Sequence, residues 1–219
     1  MPREYSEIKN YWNNNPCAGG YHDFVFSLFK GKKVLEIGCG LGNDAVGFVN
    51  AGARYFGIDL TETAVYATKQ KINSKGIVTQ MNAEYLDYPN NYFDLVYSFG
   101  VIHHAVNPQK VICEAYRVLQ PGGVIVVMLY NKLSLRYIFD IMFLRKILWH
   151  LHYYRYNELR RQCPHPTHKQ WVSWNTDTLG CPKAEVYNKK EAVDMFNMFR
   201  NIKTVTTNNG WFRMIMGNK

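Results

Sequence analysis

The sequence predicts an α/β fold in which helices flank a parallel β-sheet. From residue 33 to residue 130, short apolar runs alternate with stretches at helical spacing. The apolar runs are rich in β-branched or aromatic residues and are bounded by Gly, Asp or Pro, as buried strands are. One run leads directly into a glycine-rich turn. Alternating strands and helices are typical of βαβ units, whose sheets bind ligands at the carboxyl ends of the strands.

The elements of this first part follow from apolar spacing and capping residues. We expect helices where apolar residues recur every three or four positions, and Thr61 is a plausible N-cap of one of them. The predicted strands are Lys33–Ile37, Arg54–Ile58, Phe93–Phe99 and Val124–Leu129, and the predicted helices are Asn43–Ala51, Thr61–Ser74 and Pro108–Leu119.

After Tyr130 the pattern changes, which indicates an insertion between the fifth strand and the last helix. We expect one or two amphipathic helices in 133–161, an irregular stretch in 162–183, a helix at 189–199 and closing strands at 202–207 and 211–216. The chain is thus interpreted as one domain. Its parts are an N-terminal lid segment (1–30, with an amphipathic helix at Tyr5–Trp12), a core (31–130), an insertion (131–184) and a closing helix and strands (185–219).

Composition and charge narrow the class of protein. The 219 residues are 47% hydrophobic and 20% charged, enough for one domain with a substantial core. No signal-peptide core is visible, and the longest apolar stretch, Tyr137–Leu151, is interrupted by charges and shorter than the roughly 20 residues of a membrane span. Five cysteines without framework spacing fit a reducing compartment. We therefore expect a cytoplasmic protein without a transmembrane segment.

The net charge of +9 is concentrated in the insertion. Residues 131–170 hold eight Lys or Arg against Asp140 and Glu158. Such an excess favours an anionic ligand, a surface that rests on anionic lipid, or a solvated helical face.

A glycine-rich turn carries the main functional signal. The segment Glu36-Ile37-Gly38-Cys39-Gly40-Leu41-Gly42 ends a strand in an acid and places Gly at alternate positions before a helix. Glycine allows positive φ and close approach of a ligand, and the helix offers free N–H groups. Asp59, 17 residues beyond Gly42, closes the second strand, where a carboxylate can accept hydrogen bonds from the ribose hydroxyls of an adenosine.

These motifs resemble those of class I S-adenosylmethionine (SAM) dependent methyltransferases, in particular the group acting on small molecules. The matching segments are VLEIGCGLGND (34–44), GIDLTETAV (57–65), NAE (82–84), FDLVYSFGVIHH (93–104) and RVLQPGG (117–123). The resemblance implies a Rossmann-like, doubly wound, seven-stranded sheet, mostly parallel with an antiparallel last strand. It also implies SAM as cofactor and S-adenosylhomocysteine as product.

The resemblance also assigns the cofactor residues. Asn82 departs from the family's usual Asp, although its amide oxygen can still accept a hydrogen bond from the adenine amino group. The methionine end and ribose would be held by Glu36, Gly38, Cys39, Gly40 and Gly42, the ribose and adenine by Asp59 and Leu60, the adenine by Asn82 and Ala83, and the sulfonium would lie above Ser98 and Phe99.

Two histidines follow the fourth predicted strand. A neutral imidazole can take the proton of a nucleophile, so His103 is our candidate catalytic base, and His104 is the second choice. The alternative is a pair of loop histidines that fix the start of the next helix. A zinc site at Cys163, His165, His168 and Cys181 was also considered, but its spacing lacks a C-x2-C pair, so no metal is expected.

The sequence therefore predicts methyl transfer to a small, anionic and partly apolar acceptor, with the insertion forming its pocket. Two alternatives stay open: an RNA or protein methyltransferase, and a SAM-binding module without transfer. Ser98-Phe99-Gly100 stands where amino-group base methylases carry an acid- or Asn-Pro-Pro-aromatic tetrapeptide, so we do not expect a nucleic-acid partner.

Overall fold

Seven strands form one sheet in the computed structural model, which describes residues 23–177, 180–207 and 210–219. The order is β3-β2-β1-β4-β5-β7-β6, and β7 alone runs antiparallel to its neighbours. The predicted α/β fold class is confirmed. The expected lid helix at Tyr5–Trp12 lies outside the described residues. The strands are β1 Lys33–Ile37, β2 Arg54–Asp59, β3 Ile77–Gln80, β4 Phe93–Phe99, β5 Leu119–Tyr130, β6 Arg200–Thr207 and β7 Phe212–Asn218.

Several helices begin at side-chain caps that the sequence supplies. The Thr61 hydroxyl accepts a hydrogen bond from the Ala64 N–H, which confirms this residue as an N-cap. The helices are α1 Asp23–Leu28, α2 Asn43–Asn50, α3 Glu62–Lys71, α4 Pro108–Val118, α5 Arg145–His150, α6 Asn157–Gln162, α7 His168–Thr176 and α8 Lys189–Asp194, with a π-helix at Arg136–Leu144 and short 3₁₀ turns at Ile102–His104 and Tyr154–Tyr156.

Side chains that alternate along the strands fill a core on each face of the sheet. Tyr55 and Tyr97 pack with Phe48 of α2 on one face. Leu35 and Ile112 belong to the core on the other face, with α4 and α8. Both faces of the sheet are therefore covered, and ligands can reach it only at its edges.

The insertion is more ordered than the sequence indicates. We expected 162–183 to be irregular, and this was wrong for 168–176, where α7 lies. Thr167 and Gln170 form a capping box at its start, which is a local signal for a helix. The surrounding Pro and His residues instead favoured the prediction of an irregular stretch.

Aromatic residues of the insertion form a core of their own. The rings of Trp149 and Tyr156 contact Trp171 at centroid distances of 5.6 and 5.9 Å, and the Trp171 indole donates to the Ile141 carbonyl. We expected these aromatics to form the wall of an acceptor pocket, but they hold α5, the 3₁₀ turn Tyr154–Tyr156 and α7 together. Within the described ranges, no helix is long and apolar enough to cross a membrane.

Candidate active site

The glycine turn between β1 and α2 is held in a conformation that favours glycine. Gly38, Gly40 and Gly42 have φ values of 81°, 51° and 73°. The N–H groups of Gly38 and Cys39 both donate to the Ile58 carbonyl, at 2.8 and 3.0 Å. A Cβ on Gly38 would lie 2.2 Å from a methyl carbon of Val101. The turn is thus fixed to β2 on one side and to the loop after β4 on the other.

Asp59 joins the end of β2 to this turn. Its Oδ2 accepts from the Gly40 N–H at 3.1 Å, and its Oδ1 accepts from the N–H and hydroxyl of Thr61, both at 2.9 Å. Burial raises the pKa of the Asp59 carboxyl, and the hydrogen bonds from Thr61 and Gly40 oppose that rise. A carboxylate has about four acceptor positions, so acceptor capacity remains for a ligand hydroxyl.

Further acids surround the turn. The Tyr55 hydroxyl donates to Glu36 at 2.5 Å and lies where a Cβ on Gly57 would stand, so this pairing requires glycine at position 57. Tyr97 donates to Asp44 at 3.0 Å. Burial raises the pKa of Glu36 well above its usual range, and the nearby Asp44 adds to the rise.

Within the described residues, neither Glu36 nor Asp59 forms an ion pair with Lys or Arg. Because charged carboxylates are costly to bury without a cation, this end of the sheet favours a positively charged ligand.

The predicted adenine segment lies beside Asp59. The Met81 N–H donates to the Asp59 carbonyl at 2.9 Å, which places Asn82 and Ala83 at the same edge. The Asn82 side-chain oxygen accepts from the Glu84 N–H at 2.9 Å, so this amide shapes its own turn. Asn82 and Ala83 are half-buried.

Two contacts fix the flanks of this segment. The Leu60 carbonyl accepts from the side-chain amide of Gln80 at 3.0 Å. The buried Glu84 carboxylate accepts from the Asn107 N–H at 2.7 Å and so ties the segment to the start of α4.

Ser98 and Phe99, the two residues predicted to lie near the sulfonium, differ in how deeply they are buried at the end of β4. The Ser98 side chain is buried, and its hydroxyl donates to the Ile37 carbonyl at 3.1 Å, which fixes β4 to the end of β1. Phe99 is half-buried and packs edge-on against Phe212, with ring centroids 5.7 Å apart. Ser98 therefore supports the turn from below, while Phe99 lies nearer the surface.

His103 is enclosed and unpaired. Its side chain is fully buried, and neither ring nitrogen makes a hydrogen bond to a described residue. The ring contacts His104 and Tyr130, both at 4.2 Å between centroids. Burial lowers the pKa of His103 well below 6.5, and the neighbouring His104 lowers it further, so the ring is neutral at physiological pH.

His104 links the same loop to the insertion. Its Nδ1 donates to the Lys183 carbonyl at 2.6 Å, and its Nε2 lies 3.5 Å from Asp177. Burial alone would lower the pKa of His104, but the hydrogen bonds to Asp177, Cys181 and Lys183 raise it to about 9. His104 thus carries a raised pKa and fixes this loop to the insertion.

A separate cavity of about 600 Å³ lies between the insertion and α8. Lys132, Tyr137 and Glu191 are among its lining residues, and neither His103 nor the cofactor candidates line it. In the described part of the chain, no group of three or more His, Cys, Asp or Glu side chains could hold a metal ion, including the residues considered for zinc.

Sequence reasoning missed several supporting residues of the site. Tyr55, which holds Glu36, was assigned only to a strand. The Thr68 hydroxyl donates to the Gly40 carbonyl at 3.0 Å and Val101 packs on Gly38, both from elements distant in sequence. Asp44 lies two residues after Gly42, inside the matching segment 34–44, and that proximity is a local signal that could have identified it.

Comparisons with known proteins agree with this geometry. Residues 35–127 match the family model described as a methyltransferase domain. A ubiquinone biosynthesis O-methyltransferase of Dechloromonas aromatica is 32% identical over 144 residues, covering 63% of this chain and 60% of that protein. A ubiquinone/menaquinone biosynthesis C-methyltransferase of Hydrogenovibrio crunogenus is 35% identical over 113 residues, covering 48% of this chain and 44% of that protein. The chain thus spans about 60% of the first curated relative's length.

The fold is shared with solved structures. A SAM-dependent methyltransferase from Methanosarcina mazei superposes with a TM-score of 0.62 at 18% identity, covering 92% of this chain and 99% of that one.

The residues at the carboxyl edge fit SAM. SAM carries two positive groups, the sulfonium and the ammonium, and one carboxylate. Its net positive charge matches the acids Glu36, which is buried, and Asp59, which is half-buried. The left-handed glycine turn adjoins Asp59. Taken together, the matched domain, the sheet topology and this acid-lined turn show that residues 35–127 carry a methyltransferase domain on a Rossmann-like sheet.

Proposed function

We propose that this protein transfers a methyl group from SAM to a small acceptor that is partly apolar and anionic. The observation that carries the proposal is the hydrogen bond between the Asp59 carboxylate and the Gly40 N–H. It makes the glycine turn and the ribose acid one unit at the carboxyl edge of β1 and β2. Open α/β sheets bind ligands at this edge, and the loop with His103 follows β4 at the same edge.

Bound SAM supplies a methyl group activated by its sulfonium. Around it, Asp59 would accept from a ribose hydroxyl, and Asn82 and Ala83 would contact the adenine. Glu36, held by Tyr55, contributes negative charge near the methionine end. Ser98 fixes the end of β1. The protein thus mainly positions the reactants, which suits a reaction that loses charge in its transition state.

His103 is our candidate for the catalytic base. Its low pKa keeps the ring unprotonated, and its two ring nitrogens are unpaired in the described chain. Because the ring is fully buried, contact with an acceptor requires the Tyr130 ring to shift when the acceptor enters. A weakly basic imidazole suits an acceptor whose proton is already acidic.

Arg213 is our candidate for holding the acceptor's anionic group. It pairs in register with Leu129, next to Tyr130, and its side chain is only 7% exposed. One guanidinium nitrogen donates to Asn131 at 3.0 Å, while Nε makes no hydrogen bond to a described residue. In the described chain no carboxylate pairs with this buried guanidinium. An anionic ligand would therefore supply the charge partner that Arg213 lacks.

Two arginines of the insertion are held by other partners. Arg160 donates to the Trp149 carbonyl and stacks on its ring, and Arg161 pairs with Glu158 on the surface.

The relatives' names support an acceptor with a large apolar part, since they name ubiquinone and menaquinone biosynthesis. One relative is named for O-methylation and the other for C-methylation, so the similarity leaves both acceptor atoms open.

Methyl-labelled SAM tests the proposal. The purified protein is incubated with labelled SAM and a fractionated metabolite and lipid extract, and transfer is followed by extraction and mass spectrometry. We expect a labelled organic product and loss of most transfer in Asp59→Asn. Glu62→Gln, the same kind of change on the exposed start of α3, is the matched control and should behave as wild type. Label that never leaves SAM in any fraction would contradict a transferase and favour the SAM-binding module.

Two variants test the acceptor side. Arg213→Gln should raise the acceptor KM at least tenfold with unchanged SAM affinity, whereas Arg54→Gln, at an exposed position at the start of β2, should change neither. His103→Gln should lower kcat without altering SAM affinity. Equal acceptor KM values in wild type and Arg213→Gln would remove Arg213 from the site.

A further inference from the structure

One helical segment of the insertion exposes an unusually apolar surface. We define the apolar stripe as seven side chains of the π-helix, α5 and their flanks, each 40 to 71% exposed. The opposite side of the same segment is the one that packs inward, through Tyr137, Ile141 and Trp149. The stripe is therefore not the core-facing side of these helices. Its members are Leu135, Ile138, Phe139, Phe143, Leu144, Ile147 and Leu151.

The unpaired charges around the apolar stripe are all positive. Arg136, Lys146 and Arg155 are exposed along this segment. Asp140 is the one acid between residues 133 and 155, and it pairs with Arg145 at 3.0 Å. The surface thus combines exposed apolar side chains with cations and holds no uncompensated acid.

Tyrosines mark the end of the stripe. Tyr153 and Tyr154 follow Leu151, are exposed by 37% and 69%, and contact each other at 4.7 Å between ring centroids. Tyr side chains are enriched where a protein meets the boundary between lipid chains and headgroups.

We propose that the apolar stripe docks on the surface of an anionic lipid bilayer, with the helices lying in the interface and Arg136, Lys146 and Arg155 contacting headgroups. A helix with one apolar face and a cationic border has the pattern of interfacial helices. This inference stands on the surface alone and does not depend on methyl transfer. Together with the proposed function, it gives an apolar acceptor a route from the membrane to the site.

Charge favours lipid over a second copy of the chain. Two stripes facing each other would bring the cations of both copies together without acids between them, whereas anionic headgroups neutralise them. A bilayer also covers seven protruding side chains without needing a complementary shape.

Vesicle co-sedimentation of the full chain tests the proposal. Vesicles of phosphatidylcholine alone are compared with vesicles that also contain phosphatidylglycerol, at low and high salt. We expect binding to the anionic vesicles only, weakened severalfold by high salt because screening removes the headgroup attraction. Phe139→Gln with Phe143→Gln should lower the bound fraction at least tenfold, since both rings are over 60% exposed.

The controls separate docking from folding and from cofactor binding. Tyr66→Gln removes an aromatic side chain of similar exposure, 67%, on α3 and should leave vesicle binding unchanged. The double variant should keep the wild-type melting temperature and SAM affinity.

Three outcomes would each overturn the proposal: the protein does not bind anionic vesicles, it binds neutral vesicles equally well, or the double variant binds as well as wild type. A dimer in sedimentation equilibrium that the double variant dissociates, without vesicle binding, would assign the stripe to a second copy. SAM binding is measured separately, so failure here is distinguishable from failure of the proposed function.

Discussion

Replacing Gly38 by Ala perturbs the glycine turn in two separable ways. The φ of Gly38 is +81°, and holding an L-residue in this left-handed region costs about 1–2 kcal/mol. The new Cβ would also lie 2.2 and 2.7 Å from the two methyl carbons of Val101. Overpacking of this kind costs roughly 1–3 kcal/mol. The variant should therefore lose about 2–5 kcal/mol of unfolding free energy.

Urea denaturation monitored by circular dichroism measures this loss. Gly122→Ala is the matched control, because its φ is +79° and a Cβ there would meet nothing within 4 Å, so it should lose only the strain of about 1–2 kcal/mol. Adding Val101→Ala to Gly38→Ala removes the two methyl groups and should recover part of the loss. Equal destabilisation by Gly38→Ala and Gly122→Ala, or strict additivity with Val101→Ala, would refute the contact between the turn and the β4 loop.

Three further predictions concern charge and capping. His104 has a folded pKa of about 9, above its usual 6.5, so its stabilisation is complete below pH 6.5 and is lost as pH rises through about 9. The difference in unfolding free energy between wild type and His104→Gln should accordingly fall by about 3 kcal/mol over that window, and a pH-independent difference would contradict the imidazolium. The raised pKa values of Glu36 and Asp59 predict that SAM binds more tightly as pH rises through the range in which these carboxyls ionise, because a cation favours the carboxylates. S-adenosylhomocysteine, which lacks the sulfonium, should show a smaller slope by calorimetry, and equal slopes would count against the acid-lined turn. Thr167→Ala should cost about 1 kcal/mol by removing the α7 cap, while Thr167→Ser should be neutral in the same denaturation assay.

The core of the fold and the cofactor edge were predictable because their signals are local. Two apolar runs form β1 and β2. Each is followed by residues with a specific structural role: the alternate glycines after β1 and Asp59 at the end of β2. Thr61 begins α3 as its sequence indicates. Parallel pairing of β1 with β2 then brings Asp59 to the turn without any further information.

Other features depend on contacts between distant residues. The Ser98 hydroxyl bonds to the Ile37 carbonyl, 61 residues away, and this partner cannot be read from the residues around Ser98. The insertion aromatics pack on one another because α7 folds back onto α5, and α7 itself was hidden by its Pro- and His-rich surroundings. His103 and His104 are adjacent in sequence, yet Asp177 and Lys183 give His104 alone a raised pKa.

The most direct test of the central claim, that Asp59 and the glycine turn hold the ribose of SAM, is a calorimetric cycle with two ligands and two proteins. S-adenosylhomocysteine and its 3′-deoxy analogue are titrated into wild type and Asp59→Asn. A direct hydrogen bond predicts that the missing hydroxyl costs wild type about 1–3 kcal/mol and the variant much less, a coupling that purely structural damage does not produce. An equal loss from the missing hydroxyl in both proteins would contradict the account, because Asp59 would then only support the turn.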